Sequence, residues 1–521
     1  MKAWGIRHVV VCPGSRNAPI VHTLGNTTNI ECKPVTDERS AAFVALGMAD
    51  ALKEPIAVCC TSGSAVLNMS PAIAEAYYRQ VPLLVISADR PVEWIGQMDG
   101  QTLVQPNCFS LHAHCYDIDE VHDDTSRWAT IRNINEALMK LNNGNGCPIH
   151  INIHFSEPLF VFEEKELPSV RKIEYSGTNT LPLLSEWKAA RKRMIILGQI
   201  KKGSRIHKIA QQLAHQSDVV CIAEHLSNLT TDLPNIVWRA DDILANNTPM
   251  PCELDPDLVV YVGGHIVSKR LKQWLRKIQP QTLWHVSDEL RIIDLFQCVS
   301  RMVSVDCFAQ AIDSILVSQS NNEYLQKWLH IQNSLTVKLV EEWTDVNVVG
   351  RALQNMPQGW ILSLGNSSAV RHAQHFALPH DTEVMCNRGV NGIDGSMSEA
   401  VGCALATERN VLCIVGDLSF FYDMNAIWNV ALPSNLRILV LNNGGGSIFA
   451  SLSGLEQSEH KWPLVAAQHH TSVRGWAESC GCTYSVATPN NLAQLFEPSH
   501  NAVIFEAFAD KCGSETTQIT R

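Results

Sequence analysis

Residues 411–446 read VLCIVGDLSFFYDMNAIWNVALPSNLRILVLNNGGG, and this stretch decides the fold. An apolar strand ends in Gly416-Asp417, an amphipathic segment crosses back, and a second apolar strand ends in Asn442-Asn443 before three glycines. Asp417 and Asn443 are 26 positions apart (443 − 417), about the length of one βαβ crossover. The carboxylate and the amide therefore arrive side by side at the carboxyl ends of neighbouring parallel strands. Open α/β sheets bind ligands and diphosphates at that edge. A carboxylate, an amide oxygen and a backbone carbonyl form a hard-oxygen set suited to Mg²⁺, which keeps other positions for water and phosphate. By themselves the same residues also describe two ordinary strand-end loops of a doubly wound domain.

Outward from this stretch, a chain of 521 residues exceeds one hydrophobic core and implies about three domains. Hydrophobic content of 45% and charged content of 18% belong to an ordinary globular protein. The net charge of −11 is spread out with no basic stripe, which argues against a nucleic-acid partner. No apolar run approaches the ~18 residues of a membrane span; Val81–Ala88 is typical and suits a buried strand. In the opening MKAWGIRHVVVCPGS, Arg7 and His8 interrupt any apolar region and Pro13 ends it, so no signal peptide is expected. The 17 cysteines are odd in number and often lie inside strand-like runs, as at Cys59-Cys60 and Cys413. That usage points to reduced thiols and a cytoplasmic location. Cys480-Gly481-Cys482 and His112-Ala113-His114-Cys115 lack partner pairs at zinc spacing.

Strand-like runs alternate with helical stretches throughout, which predicts an α/β protein of three doubly wound parallel-sheet domains, the first and third alike. The expected bounds are 1–160, 180–325 and 340–521, with the charged stretch FEEKELPSVRKIEYSGTNTLP as first linker and a polar helical stretch from about 320 to 345 before the third domain. Gly14-Ser15-Arg16-Asn17 has a counterpart in Gly365-Asn366-Ser367-Ser368, and the small-residue helix Glu38–Leu52 in Gly395–Ala406. Strands ending at Thr61-Ser62-Gly63 and Ala88-Asp89 correspond to those ending at Gly416-Asp417 and Asn442-Asn443. Their separations agree, 28 (89 − 61) against 27 (443 − 416). This predicts an internal duplication.

The Gly-Asp pair with its downstream Asn-Asn, in this three-domain layout, resembles the thiamine-diphosphate carboligases and decarboxylases. The resemblance implies thiamine diphosphate held through Mg²⁺ (or Mn²⁺), with Asp417, Asn443 and the carbonyl of Gly445 as metal ligands. It further implies a pyrimidine-binding first domain, a central domain and a diphosphate-binding third domain, and a homodimer, possibly pairing into tetramers, that joins Glu38 of one chain to Asp417 of the other. A glutamate at a helix start ordinarily compensates the helix dipole. By the resemblance, Glu38 in Thr36-Asp37-Glu38-Arg39-Ser40 is instead the catalytic acid on the cofactor's aminopyrimidine.

Within that family the chain is similar to the branch of menaquinone biosynthesis that decarboxylates 2-oxoglutarate and adds the four-carbon remainder to isochorismate in a 1,4 sense. The matching motifs span nearly the whole chain: Pro13–Arg16, Asp37–Ser40, Thr61–Ala65, Ala88–Pro91, Gly365–Ser368, Asn387–Gly389 with Gly392–Gly395, Gly416–Ser419, and Asn442-Asn443 with Ile448-Phe449. The branch implies cofactor contacts at Ser62, Gly63, Gly389, Ile393, Gly416, Leu418, Ser419 and Ile448. Both substrates are dicarboxylates, and guanidinium groups bind carboxylates bidentately. Ser15, Arg16, Arg90, Gln101, Lys269 and Arg270 are accordingly expected on isochorismate, with Phe449 against its ring, and Ser367, Arg371 and Arg388 on the oxoglutarate-derived carboxylates. The chain departs from the pattern at its N-terminus, which begins almost at strand Val9-Val10-Val11, and at Gly100 and Gly444 where amides are usual; Leu418 departs from the broad family but agrees with this branch. The competing readings are an acetolactate synthase or another 2-oxo-acid decarboxylase, which would not need this arginine set, and a non-catalytic nucleotide-binding module. The absence of a G-x-G-x-x-G fingerprint after a strand counts against the latter.

Overall fold

Alternate residues of the N-terminal strands enter two different cores, the signature of a parallel sheet covered on both faces. The computed structural model describes the chain except residues 145, 164–165, 217, 231–232, 248–249, 317–321, 338–341, 429–430, 452–453, 510–518 and 521. Strands β1 (His8–Val11), β2 (Glu31–Pro34), β3 (Ile56–Cys60), β4 (Leu83–Asp89), β5 (His114–Ile118) and β6 (Ile149–His154) form a parallel sheet in the order β2-β1-β3-β4-β6-β5. Val10, Val58, Leu83 and Val85 pack with alanines and Leu46 of the helix Glu38–Leu52 and with Ala72, Ile73 and Ala76 of the helix Ser70–Arg79. Val9, Val11, Ala57, Leu84, Ile149 and Ile151 face the opposite core, against Leu24, Ala137, Leu138 and Leu141. Each buried branched side chain contributes about 1.5–3 kcal/mol. The same unit, Met1–Thr178 with Ser287–Ser304, contains β7 (Glu174–Ser176), which pairs in parallel with β13 (Arg301–Val303). The charged stretch expected as a linker thus contains a strand, anchored by the buried Ile173 and Ser176; its residues 164–165 lie outside the described ones.

The second unit comprises Asn179–Val286 and Val305–Arg521. Its middle part is built on β8 (Arg193–Leu197), β9 (Val219–Ala223), β10 (Ile236–Val237), β11 (Leu258–Val262) and β12 (Thr282–Val286), parallel in the order β10-β9-β8-β11-β12. The polar stretch near 320–345 holds the helix Glu323–Ser334 and β14 (Thr336–Val337), while 338–341 fall outside the described residues. The C-terminal part holds β15 (Ile361–Leu364), β16 (Glu383–Met385), β17 (Val411–Gly416), β18 (Leu436–Asn442), β19 (Thr483–Val486) and β20 (Val503–Phe508), all parallel, in the order β16-β15-β17-β18-β20-β19. The short β21 (Ile519–Thr520) pairs antiparallel with β14.

Strand for strand, the orders of the first and last large sheets are identical, so the internal likeness read from the sequence extends to topology. β17 takes the place of β3, and β18 that of β4. In the last sheet, too, alternate residues divide between two cores. Val411, Cys413 and Val415 pack with Met397, Ala400 and Val401; Leu412, Ile414, Leu439 and Leu441 pack with Val348, Val349 and Ala352 of the helix Asp345–Asn355.

Candidate active site

β17 and β18 run side by side in register, Gly416 opposite Leu441, so Asp417 and Asn442-Asn443 leave the sheet together at its carboxyl edge. Asp417 is 2% exposed. Its Oδ1 accepts from Leu418 N at 2.7 Å, and its Oδ2 from Gly444 N at 2.7 Å and Gly445 N at 2.9 Å. Burial raises its carboxyl above the usual range, against these donors. The glycines are needed here. Gly444 and Gly445 have φ of +77° and +143°, and a Cβ on Gly445 would lie 2.7 Å from the Ala466 carbonyl oxygen. The Gly445 carbonyl accepts from Ser447 N at 3.0 Å, which leaves its second lone pair.

Asn443 is held by two bonds donated from Nδ2, to Asp345 Oδ2 at 2.8 Å and Ser447 Oγ at 2.9 Å. Among the described residues its Oδ1 is buried without a partner, as is Asp345 Oδ1. An unpaired buried amide oxygen costs about 1–3 kcal/mol, and a divalent cation beside the Asp417 carboxylate would satisfy it. The residues present therefore fit a hard-oxygen metal site.

Sequence reasoning passed over three residues here. Asp345 opens the helix Asp345–Asn355, capped by Thr344, and burial pushes its carboxyl up to about 6. His469 Nε2 lies 3.2 Å from Asp417 Oδ2, although not in hydrogen-bond geometry. The buried Glu506 on β20 accepts from Asn442 Nδ2 at 2.6 Å, Ser472 Oγ at 2.6 Å and Tyr484 OH at 2.7 Å, fixing the neighbouring amide. Only Asp345 carries a local signal, a Thr-Asp helix start, and that signal reads as an ordinary cap.

Beside this edge, Ser419 Oγ donates to the Ile393 carbonyl at 2.5 Å, tying the helix Asp417–Tyr422 to the loop that bears Gly389 and Ile393. Ser367 precedes the helix Ser368–Ala373 with φ 70° and ψ −116°, a strained conformation for a non-glycine residue. Arg371 Nη1 donates to the Ser367 carbonyl at 2.5 Å. Arg388 is 5% exposed, with Nη1 donating to Asn366 Oδ1 at 2.8 Å and Nε buried without a partner among the described residues.

A cavity of about 400 Å³ in this unit brings Lys269, Arg270, Arg371 and Ile448 together with Glu224 and Asp241. Lys269 and Arg270 open the helix Lys269–Ile278, whose cap is Ser268. The buried Glu224 holds that start, accepting from Val267 N at 2.5 Å and Ser268 N at 2.7 Å. Arg270 is paired to Asp241 at 2.6 Å. Phe449 packs over Gly446, where a Cβ would meet its ring at 2.6 Å.

In the first unit, Asp37 caps the helix Glu38–Leu52 by accepting from Ser40 N at 2.9 Å, which makes Glu38 the first helical residue. Glu38 is half-buried, and among the described residues its carboxylate has no hydrogen-bond or ion-pair partner. Burial, reinforced by Glu38 and Asp37, pushes the nearby Cys12 thiol up to about 12. Thr61 and Ser62 are buried, and Gly63, at φ +83°, donates its N–H to Gln105 Oε1 at 2.8 Å. Arg16 is buried against the Phe155 carbonyl at 3.0 Å and Glu157 at 3.0 Å. Arg90 Nε donates to the Gly100 carbonyl at 2.8 Å and lies 3.1 Å from Asp99. Ser15 and Gln101 are exposed, Gln101 with φ 55°.

Arg90 also rests on a network at the ends of β4, β5 and β6 in which Asp89, Asn152 and His154 are buried. Asp89 Oδ1 accepts from Arg90 N at 2.8 Å, His154 Nδ1 contacts the Arg90 carbonyl at 2.5 Å, and His154 Nε2 lies 3.1 Å from Asp117. Asn152 Nδ2 bridges Asp89 and Asp117 at 2.9 and 2.8 Å. Burial alone would lower the His154 pKa, but the Asp117 carboxylate and the Arg90 carbonyl raise it to about 9. Every described cysteine is a free thiol, and among the described residues no helix is long and apolar enough to cross a membrane.

Family comparison agrees with this geometry. Residues 1–111 match the thiamine pyrophosphate enzyme N-terminal TPP-binding domain, 155–362 the middle domain, and 365–505 the C-terminal TPP-binding domain. Fold and site together define a thiamine-diphosphate-dependent enzyme. The 2-succinyl-5-enolpyruvyl-6-hydroxy-3-cyclohexene-1-carboxylate synthase of Bacteroides fragilis is 45% identical over 93% of this chain and 88% of its own length. Those of Bacteroides thetaiotaomicron and Flavobacterium psychrophilum are 41% identical (98% and 94% covered) and 37% identical (97% and 93% covered). The chain belongs to the 2-succinyl-5-enolpyruvyl-6-hydroxy-3-cyclohexene-1-carboxylate synthase family.

Proposed function

We infer that this chain decarboxylates 2-oxoglutarate and joins the remaining four carbons to isochorismate in a 1,4-addition, releasing CO2 and 2-succinyl-5-enolpyruvyl-6-hydroxy-3-cyclohexene-1-carboxylate for menaquinone biosynthesis. The observation that carries the site assignment is the pairing of the buried Asp417 carboxylate with the partnerless Asn443 Oδ1 at the ends of adjacent strands. Asp417, Asn443 and the Gly445 carbonyl would hold Mg²⁺ or Mn²⁺, and the metal the cofactor's diphosphate. Bound there, thiamine diphosphate supplies the electron sink for decarboxylation.

The chain's own groups bind, orient and move protons. Glu38 would hydrogen-bond the cofactor's aminopyrimidine and hold a proton there, with Ser62 and Gly63 beside it. Gly389, Ile393, Gly416, Leu418, Ser419 and Ile448 form the rest of the cofactor cradle. Arg388, Arg371 and Ser367 take the carboxylates of the 2-oxo acid, the unpaired Nε of Arg388 offering an edge for a bidentate contact. Ser15, Arg16, Arg90, Gln101, Lys269 and Arg270 hold isochorismate, and Phe449 lies against its ring. Glu38 lacks a partner within its own described chain, in keeping with a homodimer whose sites are shared, alone or paired as a tetramer. The domain limits 1–160, 180–325 and 340–521 and a cytoplasmic location belong to the same proposal.

The test is to incubate the protein with thiamine diphosphate, Mg²⁺ and either 2-oxoglutarate or pyruvate, with and without isochorismate, following CO2 and product. Dependence on 2-oxoglutarate and isochorismate is expected. A preference for pyruvate would assign the chain to the acetolactate-synthase type of reaction instead.

A further inference from the structure

Arg388 is a buried cation whose side chain, among the described residues, rests on a single amide. Asn366, 4% exposed, uses its whole hydrogen-bonding capacity. Its Oδ1 accepts from Arg388 Nη1 at 2.8 Å and from Cys386 Sγ at 3.6 Å. Its Nδ2 donates to the carbonyls of Asn387 at 2.7 Å and Gly392 at 2.6 Å. The two carbonyls flank the turn 388–391, so one side chain fixes both the guanidinium and the backbone that carries it. Asn366 itself leaves β15 two residues after Leu364, and is therefore placed by an interior strand of the sheet, between β16 and β17.

Arg388 is held by one end and has an unsatisfied Nε. The amide occupies Nη1 and is neutral, so the full positive charge remains for an incoming anion. Arg270 is the contrasting case: Asp241 pairs with it at 2.6 Å and offsets its charge.

We propose that Asn366 is a positioning residue that selects for the dicarboxylate 2-oxo acid, holding Arg388 by Nη1 so that its Nε side meets the substrate carboxylate undischarged. The proposal rests on the assignment of Arg388 to the carboxylate of 2-oxoglutarate. A fully satisfied buried amide is rigid, and replacing it either frees the guanidinium or leaves it pointing elsewhere. Aspartate at this position would keep the shape but place a carboxylate on Nη1 and against two carbonyl oxygens, so Arg388 would be discharged by the protein rather than by substrate.

The experiment is steady-state kinetics of the holoenzyme, at saturating thiamine diphosphate and Mg²⁺, for Asn366→Asp, Asn366→Ala, Arg388→Ala and the double alanine variant. Asn366→Asp, nearly isosteric, guards against a variant that merely fails to fold. Both single changes at 366 are expected to raise KM for 2-oxoglutarate about tenfold or more, the loss of one charge-assisted contact, with kcat moving much less. In the Arg388→Ala background, Asn366→Ala should change KM by less than about twofold, because the two residues act as one unit. An unchanged KM in Asn366→Asp, or alanine effects that multiply in the double variant, would overturn the proposal while leaving the substrate assignment standing. An unchanged KM in Arg388→Ala would overturn both.

Discussion

Raising the pH from about 7 to about 10 should weaken the first unit at one identifiable place, the Asp117–His154 pair. The imidazole is buried, only 3% exposed, and titrates near 9 rather than 6.5 because Asp117 and the Arg90 carbonyl outweigh its burial. At 1.36 kcal/mol per pH unit that displacement corresponds to about 3 kcal/mol. Asp117 is 37% exposed, so solvent screening reduces the stabilisation to about 1–2 kcal/mol. The sign follows from linkage: the folded state binds the proton more tightly, so the contribution is complete below pH 6.5 and disappears as the pH rises through about 9. Denaturant titrations of the wild type and Asp117→Asn at each pH isolate this pair from the other histidines. The variant should be less stable by about 1–2 kcal/mol near neutrality and indistinguishable at pH 10. A difference that stays constant across the range, or a His154 ring resonance titrating below 6.5, would refute the reasoning. Because His154 contacts the Arg90 carbonyl, KM for isochorismate should rise over the same interval.

Asp417→Ala should abolish binding of thiamine diphosphate with Mg²⁺ by calorimetry. It should also lower the melting temperature of the cofactor-free protein, since three backbone N–H groups lose their acceptor at about 1–3 kcal/mol each; rescue of binding at modest Mg²⁺ would count against metal ligation. Glu38→Gln should cut kcat by about a hundredfold or more while cofactor affinity is retained, because the proposed diphosphate anchor, at Asp417 and Asn443, lies elsewhere; wild-type turnover would remove its proposed catalytic role. Glu224→Ala should raise KM for isochorismate about tenfold with little change for the cofactor, as the start of the helix bearing Lys269 and Arg270 loses the acceptor for two N–H groups. Equal changes in both constants would make Glu224 a general stability residue.

The topology was legible because its signals are local. Apolar runs ending in Gly416-Asp417 and Asn442-Asn443, and the matching interval in the first domain, depend on residues close in sequence. What escaped the sequence is long-range. Asp345 reaches Asn443 across 98 positions, and Asn152 reaches Asp89 across 63. His150, Asn152 and His154 alternate with isoleucines along β6, yet all three are buried and hydrogen-bonded. Asn366 was visible within a motif, but its role depends on the fold bringing the loop of 387–392 back over β15. The linker region concealed β7 because three residues paired to a distant strand carry no periodicity of their own.

The repeated strand order has a consequence for stoichiometry. The protein builds the same sheet edge twice, but where β17 and β18 end in Asp417 and Asn443, β3 and β4 end in Thr61 and Asp89, and Asp89 is already engaged by Arg90 N and Asn152 Nδ2. Among the described residues only the later edge sets an unpartnered amide oxygen, Asn443 Oδ1, beside its carboxylate, so equilibrium dialysis with Mn²⁺ and thiamine diphosphate should saturate at one equivalent of ion per polypeptide rather than two.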